Sequence, residues 1–205
     1  MITKASYILV AVFLFCSSSN LLAQQNGKMM QQQKRQENGK EIPDWNKKVR
    51  VSPKAEIMQT VGLTNIIISY SRPGVKGRKI WGGLVPYGKV WRAGANEATK
   101  FTFSTDVTVN GKKLAAGSYG FFVIPKEKEW TVIFNKIADQ WGAFTYNEAE
   151  DALRFNVTPQ STGFKEWLDY VFTDMKVNAK GKNSAVINLM WEKLKLPFTI
   201  ETSVN

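Results

Sequence analysis

From Val51 onward, apolar and polar residues alternate in short runs separated by turn residues, the period-two pattern of half-buried strands. Ala55, Ile57 and Gln59 alternate with Glu56, Met58 and Thr60 until Gly62 breaks the run. Ile66, Ile68 and Tyr70 mark the next strand. Phe101 and Phe103 lead into Val107 and Val109, which Asn110-Gly111 closes. Asn-Gly accepts positive φ at both central positions and is the strongest short hairpin signal.

Tyr119–Ile124 and Trp130–Phe134 are apolar on both faces. That places them centrally, one face on the core and the other under a covering loop. Further strands are predicted at Leu153–Val157, Trp167–Phe172, Val186–Glu192 and Phe198–Ile200, with weak helical spacing near Thr162–Asp169. Pro197 lacks an N–H for a ladder, so it is expected at a strand start or edge. About nine short, mainly antiparallel strands, with no long amphipathic helix, predict an all-β fold. A single β-sandwich is the reading, with a barrel as the alternative architecture.

Ahead of Val51 the pattern is different. Lys4 precedes the apolar run Tyr7–Phe15, small and polar residues follow, and Leu21-Leu22-Ala23 stands before a Gln pair. This is the layout of a secretory signal peptide, cleaved after Ala23. Residues 24–50 are rich in Gln and Lys and hold too little apolar surface to offset ordering, so they read as a linker. The expected organisation is therefore signal peptide 1–23, linker 24–50 and sandwich domain 51–203, with no spanning segment in the mature chain. Cys16, the one cysteine, sits where a lipoprotein carries its acylated residue. Phe15 is bulkier than the small residue that normally precedes such a cysteine, and export without a lipid is the preferred reading.

Charge and composition narrow the chemistry. The formal charge is +11, and 27 basic against 17 acidic side chains remain once Lys4 is set aside. Such a protein is drawn to polyanions, which outside the cytoplasm means lipopolysaccharide, acidic glycans or teichoic-type polymers rather than nucleic acid. The basic residues are spread along the chain, however, and read first as a soluble surface rather than a dedicated patch. There is no histidine. Ser-His and Cys-His catalysis and imidazole metal ligation are thereby excluded. No cofactor motif is present, and none is expected. Carboxylate chemistry remains open through Glu97, Asp139 and Glu148.

Residues 72–97 break the strand rhythm with a long Gly-rich connection carrying Arg72, Arg78, Trp81, Tyr87, Trp91, Arg92, Asn96 and Glu97. Long irregular connections in compact domains tend to be functional. Arg forks hold carboxylate or phosphate, and aromatic faces stack on rings. Two readings stand side by side. In one, Arg72, Arg78 and Arg92 recognise negative charge, Trp81 and Trp91 offer faces, and Asn96 and Glu97 fix orientation. In the other, the tryptophans plug the open end of the sandwich and Arg92 pairs with Glu97 to hold the loop. Trp141–Tyr146, preceded by Asp139-Gln140, is a second candidate, either a site or a hydrophobic corner.

The run Tyr70-Ser71-Arg72-Pro73 with Val75–Thr99 resembles an exported family of Bacteroidetes-type bacteria catalogued as domain of unknown function 2911. Gly111–Gly120, Trp130–Lys136 and Trp191-Glu192-Lys193 carry the same resemblance, which covers about Val51 to Glu201. It implies an exported, mostly-β envelope domain and brings no activity, substrate or catalytic residue. The expectation is a non-catalytic binding module for an anionic or carbohydrate ligand, such as an anionic glycan, or for an envelope protein. The alternatives are a carboxylate-dependent hydrolase of envelope glycans and a structural scaffold. Nothing in the sequence sets an oligomeric state.

Overall fold

The computed structural model describes residues 49–203. The predicted signal peptide, Cys16 and the linker up to residue 48 lie outside the described residues. Ten strands follow in order: β1 (Lys54–Val61), β2 (Thr64–Ser71), β3 (Thr99–Phe103), β4 (Val107–Val109), β5 (Lys112–Leu114), β6 (Gly117–Ile124), β7 (Trp130–Asn135), β8 (Asp151–Val157), β9 (Gln160–Lys176) and β10 (Lys182–Ser203). A six-stranded sheet has the order β1-β2-β3-β6-β7-β8 and a four-stranded sheet the order β5-β4-β10-β9. Every pairing between these strands is antiparallel. The fold is a β-sandwich, as the alternating runs predict.

The alternation sets which side chains reach the core. Ile66, Ile68 and Tyr70 of β2, Phe101 and Phe103 of β3, Phe121 and Val123 of β6 and Phe134 of β7 point inward from the larger sheet. Tyr170, Ile187, Leu189, Trp191, Phe198 and Ile200 meet them from the smaller one. The middle of the core is phenylalanine and tyrosine: Phe101 lies 4.6 Å from Phe121 and 5.3 Å from Phe134, and Phe121 lies 5.6 Å from Phe198. The Asn110-Gly111 hairpin forms as expected between β4 and β5, with φ of 47° and 79° at its two central residues.

Phe122 and Ile133 project from the opposite face of β6 and β7 and are fully buried there. Val90, Ala98, Ala143 and Tyr146 cover them, so the loop cover expected over the two-sided strands is present. The cover depends on Gly120. A Cβ at that position would stand 2.7 Å from the carbonyl oxygen of Ile137, so only glycine lets the chain after β7 approach the sheet this closely.

Two expectations are corrected. Thr162–Asp169 is not helical but lies inside β9, a 17-residue strand held along its length by β10. Pairing with β10, the next strand in the chain, outweighs the weak local helical spacing. Pro197 stands well inside β10, a 22-residue strand, not at its start. It is tolerated because β10 changes partner there: pairing with β9 runs to Lys195 and pairing with β4 begins at Ile200. The predicted strands Val186–Glu192 and Phe198–Ile200 are thus two stretches of one strand. Among the described residues, no helix is long and apolar enough to cross a membrane.

Candidate functional site

The connection from β2 to β3 is anchored at several points. The Val75 N–H donates to Glu166 O and the Leu168 N–H to Pro73 O, which ties its start to β9. Trp91 exchanges two 2.8 Å hydrogen bonds with Val123 of β6. Val75, Ile80, Val85 and Ala93 of this connection are buried in the main core. The segment therefore closes one end of the sandwich.

Its tryptophans do most of that closing. Trp81 lies 4.5 Å from Trp130, 5.7 Å from Trp91 and 5.9 Å from Trp191, and Trp91 stacks on Trp191 with their planes 18° apart. The indole nitrogens of Trp91, Trp130 and Trp191 donate to the carbonyls of Gly94, Lys126 and Glu166. Trp81 Nε1 is buried without a partner. The rings are turned toward one another, the packing role that the sequence offers as the rival to stacking on a ligand.

Beside this plug lies a cleft of about 320 Å³. Lys76, Arg78, Arg92, Asn96, Trp91 and Trp191 are among its lining, and no carboxylate residue is. Arg78 uses its Nε and Nη2 to hold the carbonyls of Val75 and Gly74. Asn96, at φ 59°, donates to Ser52 O and accepts from the Gly142 N–H. Arg92 is different. Its Nε is buried without a hydrogen-bond partner, and among the described residues its guanidinium has no ion pair. Burial alone acts on it, pulling its pKa down from the usual arginine value. The pairing of Arg92 with Glu97 considered above does not form.

Glu97 is instead held by Arg50, 47 residues earlier, through two parallel 2.8 Å hydrogen bonds. Those bonds hold its carboxyl below the ordinary carboxylate range, against the opposite pull of partial burial. Glu97 faces away from the loop cleft and lines a second one, of about 330 Å³, on the outer face of β1, β2 and β3. Asp139 and Trp141 line the same cleft, with Lys54, Ser69 and Lys100. Lys100 Nζ holds Asp139 Oδ1 at 2.8 Å.

The sequence-predicted residues are thus distributed. Arg78, Trp91, Arg92 and Asn96 meet at the loop cleft, with Trp81 packed behind them. Arg72 lies apart, its Nε on Leu168 O and its Nη2 3.4 Å from Asp169, which also accepts from Tyr70 Oη. Burial and that hydrogen bond push the Tyr70 hydroxyl up to about 12. Glu148 lines neither cleft and pairs with Arg154. Arg50, Lys76 and Trp191 escape sequence reasoning, because their places depend on contacts far along the chain. Among the described residues, no three acidic side chains gather in a way that would hold a metal ion.

No curated protein and no solved structure matches this chain. Residues 52–200 match the family described as protein of unknown function (DUF2911), nearly the whole of the sandwich, and the chain belongs to that family.

Proposed function

We propose that the protein is an exported, non-catalytic binding module of the bacterial envelope whose loop cleft takes an anionic group. The observation that carries this reading is Arg92. A half-buried guanidinium with no acidic partner costs free energy in the empty protein, and an anion removes that cost. Lys76 and Arg78 add positive charge to the same cleft, and no lining carboxylate competes for it. Trp91 and Trp191 form the back wall in this reading, braced by Trp81 behind them, and Asn96 fixes the rim.

The test is a thermal-shift and calorimetric titration with inorganic phosphate and sugar phosphates, on the protein and on Arg92→Met. Ligand at 100 times its dissociation constant stabilises the protein by about 2.7 kcal/mol. Arg92→Met loses that response. Without ligand it is the more stable protein, by about 1 kcal/mol, because a buried charge has gone. A variant that is less stable and still binds phosphate normally makes Arg92 a structural residue and defeats the reading.

Hydrolysis by carboxylates has one observation in its favour, since Glu97 and Asp139 share the outer-face cleft. A glycosidase acid, however, needs its pKa raised so that it carries a proton near neutrality. Arg50 shifts Glu97 the other way. Product analysis after incubation with envelope glycans separates the two readings: cleavage that Glu97→Gln abolishes supports hydrolysis.

A further inference from the structure

The outer-face cleft carries a chemistry distinct from that of the loop cleft. Its floor is polar across paired strands: Ser69 of β2 stands opposite Lys100 of β3, and two residues along, Lys54 of β1 stands opposite Ser71. One wall is the segment 138–141, which Gly120 allows to lie close over the sheet. Two lysines and two acids line the cleft, so their charges cancel, and the Lys100–Asp139 pair fixes a donor and an acceptor side by side.

Trp141 stands in this lining with 54% of its surface exposed. Its backbone is held firmly: it bridges to Glu97, and the neighbouring Gln140 O and Gly142 N–H bond Ala98 and Asn96. Trp91, in the same region, packs on indole rings, whereas among the described residues no ring lies against Trp141. A large ring pinned by its backbone yet left open to solvent presents an apolar face that core packing does not use.

A pyranose ring matches such a place. It has an apolar C–H face, a rim of hydroxyls that both donate and accept, and no net charge. We propose that the outer-face cleft is a saccharide-binding site, in which Trp141 stacks on one neutral sugar ring and Asp139, Lys100 and Lys54 bond its hydroxyls. At about 330 Å³ the cleft lies at the small end of ligand sites, which run from about 300 to 1,000 Å³, and suits a single ring of a longer glycan. The site needs no charge on its ligand and so stands independently of the anion cleft.

The test is isothermal calorimetry of the purified protein against uncharged oligosaccharides of glucose, mannose, xylose and N-acetylglucosamine. At least one series binds, and its affinity does not change when salt is raised from about 0.1 M to about 0.5 M, since no ligand charge is screened. Trp141→Ala weakens binding about tenfold or more while its melting temperature stays that of the parent, and Asp139→Asn weakens it as well. Arg92→Met binds the neutral sugar as the parent does. Absence of binding across the panel at 10 mM ligand overturns the proposal, and so does unchanged affinity in Trp141→Ala. The phosphate titration with Arg92→Met reports on the loop cleft alone, so failure of one site is read separately from failure of the other.

Discussion

Residues 94–98 divide two clefts of nearly equal size that differ in almost every physical respect. Gly94, Ala95 and Asn96 line the loop cleft, while Glu97 and Ala98 line the outer-face cleft. On the loop side the lining charges are all positive, Arg92 Nε is buried without a hydrogen bond, and among the described residues its guanidinium has no ion pair. On the outer face both acids are already held by a cation, Glu97 by Arg50 and Asp139 by Lys100. The tryptophans divide in the same way, with Trp91 and Trp191 stacked on each other and Trp141 turned to solvent. Residue type is therefore a poor guide to role here. What a side chain can still do depends on how many of its groups the fold has already used.

Substitutions can break or sharpen this contrast. The largest effect is expected from Trp191→Ala, which empties a 1% exposed site at the centre of the tryptophan cluster. It costs about 3–5 kcal/mol by denaturant unfolding, and a loss below about 1 kcal/mol would show that the cluster is not the plug described. Gly120→Ala comes next. Its Cβ would meet a backbone oxygen, so segment 138–141 is pushed off the sheet at a cost of about 1–3 kcal/mol. The outer-face cleft is lost with that shift, while phosphate binding at the loop cleft stays as in the parent.

Glu97→Gln has a smaller and pH-dependent effect. The folded pKa of Glu97 is lowered, so its ionised form stabilises the fold above its ordinary value of about 4.3, and that contribution disappears as pH falls through the depressed value. With the carboxylate 35% exposed, the pair is worth about 1 kcal/mol. Unfolding at pH 7 shows the difference between parent and variant, and unfolding at pH 3, below the ordinary carboxylate value, shows it smaller. An equal difference at both pH values would mean that the Arg50 pair contributes nothing through charge. Smallest of all, Trp141→Ala changes stability by no more than about 0.5 kcal/mol, the opposite extreme from Trp191→Ala for the same chemical truncation.

Much of the scaffold is legible without coordinates. Alternation places Ile66, Ile68 and Tyr70 on the core face, Asn110-Gly111 marks its hairpin, and the two-sided apolar character of β6 and β7 announces a covered outer face. The candidate site is legible only in part. The loop 72–97 stands out by composition, yet its arginines separate in space: Arg92 and Arg78 reach the loop cleft and Arg72 serves β9. One of the two readings of the loop pairs Glu97 with its near neighbour Arg92, whereas the partner the fold supplies, Arg50, lies 47 residues away.

Local pattern by itself determined the all-β class, most strand positions, the tight hairpin and the lack of histidine chemistry, because those follow from period, turn residues and side-chain inventory. Tertiary structure alone decided that β10 runs through Pro197, that 162–169 is extended, and which of the described tryptophans pack and which, Trp141 and Trp167, stay exposed. It also decided that Arg92 has no acidic partner among the described residues while Glu97 has two hydrogen bonds from Arg50. The reason is range. Periodicity and turn preference act over a few residues, whereas strand partners, ion pairs and ring contacts join residues far apart in the chain, and their geometry exists only once the two sheets have closed on each other.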